Sequence, residues 1–152
     1  MPRGAAPVRE SILMIEASLD DCSPQIIGYV LERALELGAL DAYTTAAQMK
    51  KFRPGVVVTL LARPQDRETL VALLLRETTT LGVRVAATER WVLPREVVRV
   101  ATEFGEIRVK RAGERTGEKA AAEYDDCRAA ARRHDVPILQ VMRAAVAKLQ
   151  KH

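Results

Sequence analysis

Carboxylates, cations and hydroxyls occur in three short segments of this sequence that lie far apart along the chain. Asp20 and Asp21 form an adjacent acidic pair. The other two segments contribute Lys50, Lys51 and Arg53, and then Arg76, Thr78, Thr79, Thr80 and Arg84. Acidic pairs suit Mg²⁺ or Mn²⁺, which bind oxygen ligands together with phosphates. Lys, Arg and Thr side chains bind the phosphate oxygens themselves. If the segments meet in the fold, they predict a site for a metal–triphosphate.

The composition narrows the classes of partner. The 152 residues carry a net charge of +4, with a pI of about 9.3, which favours anionic ligands. Aromatic residues are only 4% of the chain, so base stacking on single-stranded nucleic acid is disfavoured. Two cysteines and two histidines are too few for a disulfide framework or a Cys/His zinc site. No apolar run approaches the about 18 residues of a membrane span. Together these features predict a cytoplasmic protein.

Hydrophobic periodicity predicts the elements that carry the three segments. Strands are expected at residues 11–19, 40–47, 56–62 and 82–90, with helices starting at Pro24 and Pro64. Ser23 is placed to cap the first helix and Gly38 to end it. The three threonines from Thr78 onward should end the second helix, since consecutive β-branched residues crowd a helix. The resulting β-α-β-β-α-β order is that of a ferredoxin-like α+β fold.

The rest of the chain predicts a ββαα appendage. A hairpin is expected at residues 97–112, turning at residues 103–106. A helix is expected over residues 120–134, and a last helix from Pro137. The predicted organisation is therefore a flexible leader (1–10), a ferredoxin-like metal–nucleotide-binding unit (11–90), and a hairpin with two helices (91–152).

Topology predicts that the three polar segments meet at one edge of the sheet. Both βαβ crossovers are right-handed, so strands 1 and 2 run one way and strands 3 and 4 the other. Asp20 and Asp21 follow strand 1, and the turn at residues 49–55 lies at the same end. Helix 2 returns there with residues 76–80, and strand 4 starts there with Arg84. The N-terminus of helix 1 adds a favourable dipole for an anion.

Each segment also has a purely structural interpretation. The acidic pair fits the N-terminal end of helix 1, where carboxylates interact well with the helix dipole. The lysine turn fits a solvated hairpin tip, and Arg76 with Glu77 fits a surface ion pair worth under about 1 kcal/mol. Cys22 and Cys127 fit buried small apolar positions. The hypothesis of a site therefore depends on convergence of the segments.

The same segments carry motifs of a known family. Residues 16–24 (EASLDDCSP) resemble the motif E-x-N-[IL]-D-D-x-x-P, and residues 38–55 (GALDAYTTAAQMKKFRPG) resemble GALD…T…MKK-x-RPG. Residues 76–84 (RETTTLGVR) match RETTT-[LI]-G-[VI]-R, and residues 123–127 (EYDDC) match P-E-Y-[DE]-D. The similarity runs in order from residue 11 to residue 149. The family that it resembles is the nickel insertase of the LarC type.

This resemblance implies a CTP-dependent cyclometallase of the lyase class, acting last in the synthesis of the nickel-pincer nucleotide of lactate racemase. It implies CTP bound with Mg²⁺ or Mn²⁺, activation of pyridinium bisthiocarboxylate mononucleotide, and insertion of Ni²⁺ through carbon–metal and sulfur–metal bonds. The chain is similar to the C-terminal part of that enzyme, which binds metal–CTP and forms homo-oligomers. We expect this part to bind nucleotide without completing nickel insertion, because the N-terminal part is absent from the sequence.

The hypothesis assigns a role to each polar segment. Asp20 and Asp21 hold the divalent ion. Glu16, which lies earlier in the same predicted strand, is a further metal candidate. The expected CTP- or phosphate-binding residues are Lys50, Lys51, Arg53, Arg76, Thr78, Thr79, Thr80 and Arg84. No residue stands out as a general acid or base.

The sequence departs from the family pattern at three positions, and it leaves other hypotheses open. Ser18 replaces a usual Asn, which changes polar contacts at the exit of strand 1, while Ala46 and Ala122 replace prolines that stiffen the backbone. One alternative is a non-catalytic ferredoxin-like module that senses small ligands or oligomerises. Another is nucleic-acid binding, which predicts steep salt dependence.

Overall fold

The computed structural model describes residues 6–112 and 119–149. These residues form two compact units: one is Arg9–Arg90, and the other comprises residues 6–8, 91–112 and 119–149. Each unit contains its own cluster of buried apolar side chains. No helix in the described ranges is long and apolar enough to cross a membrane.

The elements up to Val92 follow the predicted β-α-β-β-α-β order. They are β1 (Val8–Leu19), α1 (Pro24–Glu36), β2 (Asp41–Gln48), β3 (Pro54–Ala62), α2 (Arg67–Glu77) and β4 (Arg84–Val92). Short 3₁₀ turns at Lys50–Phe52 and Pro64–Asp66 precede β3 and α2 respectively. The strand order is β2-β3-β1-β4, and β3 is antiparallel to both β1 and β2. The predicted ferredoxin-like α+β fold is thereby confirmed.

One face of this sheet is covered by the two helices. Ile15, Ala17 and Leu19 alternate along β1 and are buried, as the two-residue period of a strand requires. They pack in one cluster with the following side chains of α1, β3 and α2: Ile27, Val30, Ala34, Val58, Leu60, Ala62, Leu70, Leu73 and Leu74. The intervening β1 residues, Glu16 and Ser18, point to the opposite face.

The helix ends lie where the local sequence signals placed them. Ser23 caps α1, since its Oγ accepts a hydrogen bond of 3.3 Å from the backbone N–H of Gln25. Gly38 follows the C-cap with a φ of +98°, a conformation that glycine adopts without strain. Helix α2 ends at Glu77, and Thr78 is extended. The Thr78 hydroxyl donates to the carbonyl of Leu74 at 2.7 Å, so it satisfies one of the last helix carbonyls.

In the part of the second unit that the structure describes, there are three strands and two helices. They are β5 (Arg95–Thr102), β6 (Gly105–Ala112), β7 (Lys119–Ala122), α3 (Tyr124–His134) and α4 (Ile138–Leu149). The strands are antiparallel in the order β5-β6-β7. The predicted hairpin is present, and Gly105 takes the φ of +101° that its turn needs. Val100, Ile107, Val109, Cys127 and Val141 lie in the buried cluster of this unit.

The structure differs from the sequence prediction at two places. Residues 120–122, predicted to begin a helix, form β7 and pair with β6, with Ala122 opposite Val109. Ladder hydrogen bonds and the packing of Ala120 and Ala122 against the core outweigh the helix preference of alanine, so the appendage is βββαα. Strand β1 begins at Val8, inside the predicted leader, whose residues 1–5 lie outside the described ranges.

Candidate functional site

The three polar segments of the first unit lie together at one edge of its sheet. A terminal nitrogen of Arg53 lies 3.5 Å from Asp20 Oδ2, which joins the turn before β3 to the end of β1. Thr79 Oγ1 donates a hydrogen bond of 2.5 Å to Asp21 Oδ1, which joins the segment after α2 to the same place. We call this set of residues, at positions 20–21, 50–53 and 78–80, the edge cluster.

Gly55 allows β3 to begin directly beside the end of β1. A Cβ atom at this position would lie 2.6 Å from the carbonyl oxygen of Leu19 and 3.2 Å from Cα of Asp20. Both contacts are with backbone, which cannot swing aside as a side chain does. Gly55 therefore lets the start of β3 lie against the backbone at the end of β1.

The lysine turn is held in an unusual backbone conformation. Lys51 and Phe52 have φ values of 56° and 57°, in the left-handed region, which costs a non-glycine residue about 1 kcal/mol or more. A backbone hydrogen bond of 2.8 Å from Met49 N to the carbonyl of Arg53 closes the turn. Within the described residues, no carboxylate lies within ion-pair distance of the Lys50 or Lys51 ammonium group. Both lysines are exposed to solvent, in the same turn as Arg53.

The threonine hydroxyls have different partners. Those of Thr78 and Thr80 donate to the carbonyls of Leu74 and Gly82, at 2.7 and 2.8 Å, and so shape the corner itself. Thr79 is exposed and donates to the acidic pair. Of the three predicted phosphate-binding threonines, Thr79 is the one whose hydroxyl contacts the acidic pair.

Glu16, the third metal candidate, is engaged on the sheet face away from the helices. Its Oε1 accepts a hydrogen bond of 3.2 Å from Thr59, and its Oε2 lies 3.6 Å from Nε of Arg84. Arg84 also donates to Ser18 Oγ at 3.1 Å. The described residues contain no group of three or more His, Cys, Asp or Glu side chains arranged to hold a metal. Because Glu16 contacts Thr59 and Arg84, Asp20 and Asp21 are the two carboxylates that the cluster offers to a metal.

Thr59 was not predicted from the sequence, Ser18 was expected to change polar contacts at the exit of strand 1, and Arg76 had two interpretations. Thr59 lies directly opposite Glu16 in the β1–β3 register, and it is buried. That register is a non-local pairing that no local motif reveals. Nε of Arg76 donates to Glu77 at 2.7 Å, as in the surface ion-pair interpretation.

The EYDDC motif of the second unit attaches α3 to β6. Arg108 donates to Asp126 through two side-chain nitrogens at 2.8 Å and its backbone N–H at 2.9 Å. These hydrogen bonds lower the pKa of Asp126 to about 2. Lys110 pairs with Glu123 at 2.7 Å. Cys127 is fully buried, and burial raises the pKa of its thiol. The motif thus stabilises the second unit.

Comparison with known proteins places the chain in a family. A family model described as nickel insertion protein matches residues 3–142. The chain belongs to the nickel insertion protein family. It is 49% identical over 142 residues to a putative nickel insertion protein of Myxococcus xanthus, covering 92% of this chain and 36% of the relative. It is also 43% identical over 134 residues to the pyridinium-3,5-bisthiocarboxylic acid mononucleotide nickel insertion protein of Acetivibrio thermocellus, covering 88% of this chain and 33% of the relative.

A solved structure agrees with this family assignment. It is the C-terminal domain of a cyclometallase involved in the synthesis of the NPN cofactor of lactate racemase, in its apo form. The match has a TM-score of 0.83 at 39% identity and covers 93% of this chain and 99% of that domain. The chain itself spans about a third of the length of the curated family members that it matches.

Proposed function

We propose that this chain is the C-terminal, metal–CTP-binding part of a nickel insertase. The whole enzyme would use CTP to activate pyridinium-3,5-bisthiocarboxylic acid mononucleotide and would insert Ni²⁺, its metal substrate, to form the nickel-pincer nucleotide. The family membership supports the reaction class, and the resemblance of the polar motifs supports CTP. The role of this part is supported by the edge cluster, where Arg53 pairs with Asp20 and Thr79 donates to Asp21, and where Lys50 and Lys51 belong to the same turn as Arg53.

The acidic pair fits a divalent cation that arrives with a triphosphate. Mg²⁺ and Mn²⁺ in such sites commonly take one or two carboxylates and fill their other positions with phosphate oxygens and water. Asp20 and Asp21 supply that number, while an all-protein cage would need more ligands than the described residues offer. When bound, the cation would neutralise the phosphate oxygens and polarise the phosphoryl group.

The cations of the cluster are suited to the triphosphate itself. Arg53 now pairs with Asp20, and a divalent ion at Asp20 would release the guanidinium to bind phosphate oxygens bidentately. Lys50 and Lys51 act as point charges beside it. Thr79 holds Asp21 in place. Arg76 lies in the last turn of α2 and Arg84 at the start of β4, and both would complete the phosphate or ribose contacts, with Thr78 and Thr80 shaping the corner between them.

Homo-oligomer formation is part of the proposal. The β2 strand is the outermost strand in the order β2-β3-β1-β4. An outermost strand that nothing covers presents unpaired backbone groups. Helix α1 exposes Ile26, Tyr29 and Leu35. We expect light scattering to give a mass that is a multiple of the 16.8 kDa chain, and Tyr29→Glu to lower it. An unchanged monomer mass for both proteins would overturn this part of the proposal.

Titration calorimetry with CTP and Mn²⁺ tests the nucleotide site. We expect micromolar binding by the chain and a loss of at least about tenfold in Asp20→Ala. Asp125→Ala is the matched control, because it removes an exposed carboxylate from the other unit. Unchanged affinity in Asp20→Ala would reject the metal assignment. Competition with ATP, GTP and UTP separates a CTP-dependent enzyme part from a broad, metal-independent sensing module.

A further inference from the structure

The sheet of the second unit has an open recess of about 220 Å³ with a basic lining. The charged residues that line it are Arg95, Lys110, Arg111 and Lys119, and the other described lining residues are alanines. Arg111 pairs with Glu96. Among the described residues no carboxylate lines the recess, so its charged lining is entirely positive. We call it the basic recess.

Strand register places three of these cations around two small side chains. Ala112 of β6 lies opposite Arg95 of β5 on one side and opposite Lys119 of β7 on the other. Residues opposite each other point to the same face of a sheet, and two strand spacings separate the backbones of Arg95 and Lys119 by about 10 Å. Lys110 is on the same face, two residues before Ala112 and opposite Ala121. The two alanines therefore form a low floor between three long cationic side chains.

The alanines keep the basic recess open. Alanine is depleted in strands, where β-branched and aromatic side chains pack better. A valine or isoleucine at position 112 or 121 would favour the strand and would also fill the space above the floor. The alanines thus lower the strand propensity of β6 and β7 and leave room for a ligand between the cations.

Two of the three surrounding cations have no acidic partner in the described part of the chain. Lys110 lies 2.7 Å from Glu123. Within the described residues, no carboxylate lies within ion-pair distance of Arg95 or Lys119, and both are exposed. An anion bound above Ala112 would therefore neutralise these two charges without breaking an ion pair.

The extent of the unpaired charge favours a small anion over a polymer. Arg99 and Arg108 lie on the same sheet face, but they pair with Glu106 and Asp126 at 2.7 and 2.8 Å. A nucleic acid needs a basic stripe that follows several phosphates. The volume is also below the about 300 Å³ at which pockets for drug-sized ligands begin. The basic recess suits one phosphate group, with the rest of its ligand outside.

We propose that the basic recess binds the phosphate monoester of a small organic ligand. Such a group carries a charge of about −1.5 to −2 at pH 7. Its oxygens can accept two hydrogen bonds from Arg95, while Lys110 and Lys119 act as point charges. The pyridine mononucleotide substrate carries one phosphate monoester, and naming it as the ligand rests on the proposed function. Free phosphate shares the chemistry, and the test separates the two.

Titration calorimetry on the whole chain tests the site with three probes: nicotinic acid mononucleotide, ribose 5-phosphate and inorganic phosphate. We expect the mononucleotide to bind, and the double variant Arg95→Gln with Lys119→Gln to weaken its binding at least about tenfold. Arg99→Gln is the matched control, since it removes the same charge from the same strand and face outside the recess. Tighter binding of the mononucleotide than of phosphate would assign the site to the substrate. Equal affinities for all three probes would support a site for the phosphate group alone.

A recess-filling variant gives a second measurement that leaves the charges in place. We expect Ala121→Leu to weaken mononucleotide binding about tenfold, because the added side chain occupies the space above the floor. Ala101→Leu, at an exposed position on the same face of β5, should bind as wild type does. Urea unfolding shows whether both variants are folded. Unchanged binding in a folded Ala121→Leu variant would overturn the recess as the site.

Two further results would also overturn the inference. One is an equal loss of affinity in Arg99→Gln and in the double variant, which would indicate general surface charge. The other is no binding of any probe by the wild-type chain. Binding of Mn²⁺–CTP is measured for each variant and should match wild type, because the edge cluster consists of other residues. Normal CTP binding without mononucleotide binding would leave the metal–CTP proposal standing, whereas mononucleotide binding without CTP binding would reject only that proposal.

Discussion

Thr79 Oγ1 donates a 2.5 Å hydrogen bond to Asp21 Oδ1, joining residues 58 positions apart in sequence. This contact holds the segment after α2 against the end of β1. It occupies one oxygen of the Asp21 carboxylate, while the other oxygen remains available to a cation. A charge-assisted hydrogen bond of this kind restricts the carboxylate to one orientation.

The Thr79→Val variant tests that relationship. It keeps the shape of the side chain and removes the donor, so Asp21 becomes free to rotate. We expect the Kd for Mn²⁺–CTP to rise about three- to tenfold, which corresponds to about 0.7–1.4 kcal/mol, the net contribution of one typical hydrogen bond. Calorimetry measures the change. Thr44→Val, at an exposed position of β2, is the matched control and should bind as wild type does.

Two glycine substitutions are expected to change stability in opposite directions. Gly55→Ala brings a Cβ within 2.6 Å of backbone, so we expect the free energy of unfolding to fall by about 1–3 kcal/mol. Gly28→Ala, inside α1 with no atom within 4 Å of the added Cβ, should raise it by up to about 1 kcal/mol. Urea unfolding measures both. A stable Gly55→Ala variant that binds CTP normally would contradict the steric role of Gly55.

Measuring metal affinity and phosphate affinity separately tests whether Glu16 is a metal ligand or positions Arg84. Its contacts with Thr59 and Arg84 lead us to expect that it positions Arg84. Glu16→Gln should then weaken CTP and tripolyphosphate binding equally, by about threefold, because a partly exposed ion pair contributes under about 1 kcal/mol. The Mn²⁺ concentration at half-maximal binding should not change. A large shift in that concentration would make Glu16 a metal ligand.

Acid should weaken the attachment of α3 to β6. Hydrogen bonds from Arg108 lower the pKa of Asp126 to about 2 in the folded chain, against about 3.9 in an unfolded one. The stabilisation is therefore complete above about pH 4 and is lost as the pH falls toward 2. We expect Asp126→Asn to lower the Tm at pH 7 by several degrees, and the difference from wild type to shrink between pH 4 and pH 2.

Asp125→Asn is the control for the acid experiment, because Asp125 is exposed and makes a single ion pair of 3.6 Å with Arg128. Its Tm should follow the wild-type value across the same pH range. A difference between Asp126→Asn and wild type that stays constant down to pH 2 would show that the Arg108 contact does not depend on the charge of Asp126.

Local signals in the sequence were sufficient for the ends of the helices and for the meeting of the polar segments. Ser23 begins α1, Gly38 follows its end and Thr78 ends α2, all through contacts within a few residues, so their effect can be predicted without the fold. The convergence of Asp20 and Asp21 with the lysine turn followed from crossover handedness, which holds for almost any chain of this order.

Non-local pairing explains what the sequence did not reveal. The alanines of β7 have helical preference, and only β6 beside them makes a strand favourable. Thr59 contacts Glu16 because the β1–β3 register places them opposite each other.

The sequence by itself therefore determined the order of elements, the family and the edge of the sheet at which charged groups gather, because these follow from local propensity, motif and chain direction. Only the tertiary structure showed that Arg84 pairs with Glu16, that Thr79 donates a hydrogen bond to Asp21, and that an apolar pocket lies beside Asp20. Those contacts depend on distances of a few ångströms between segments far apart in the chain. Such distances are set by strand register and packing.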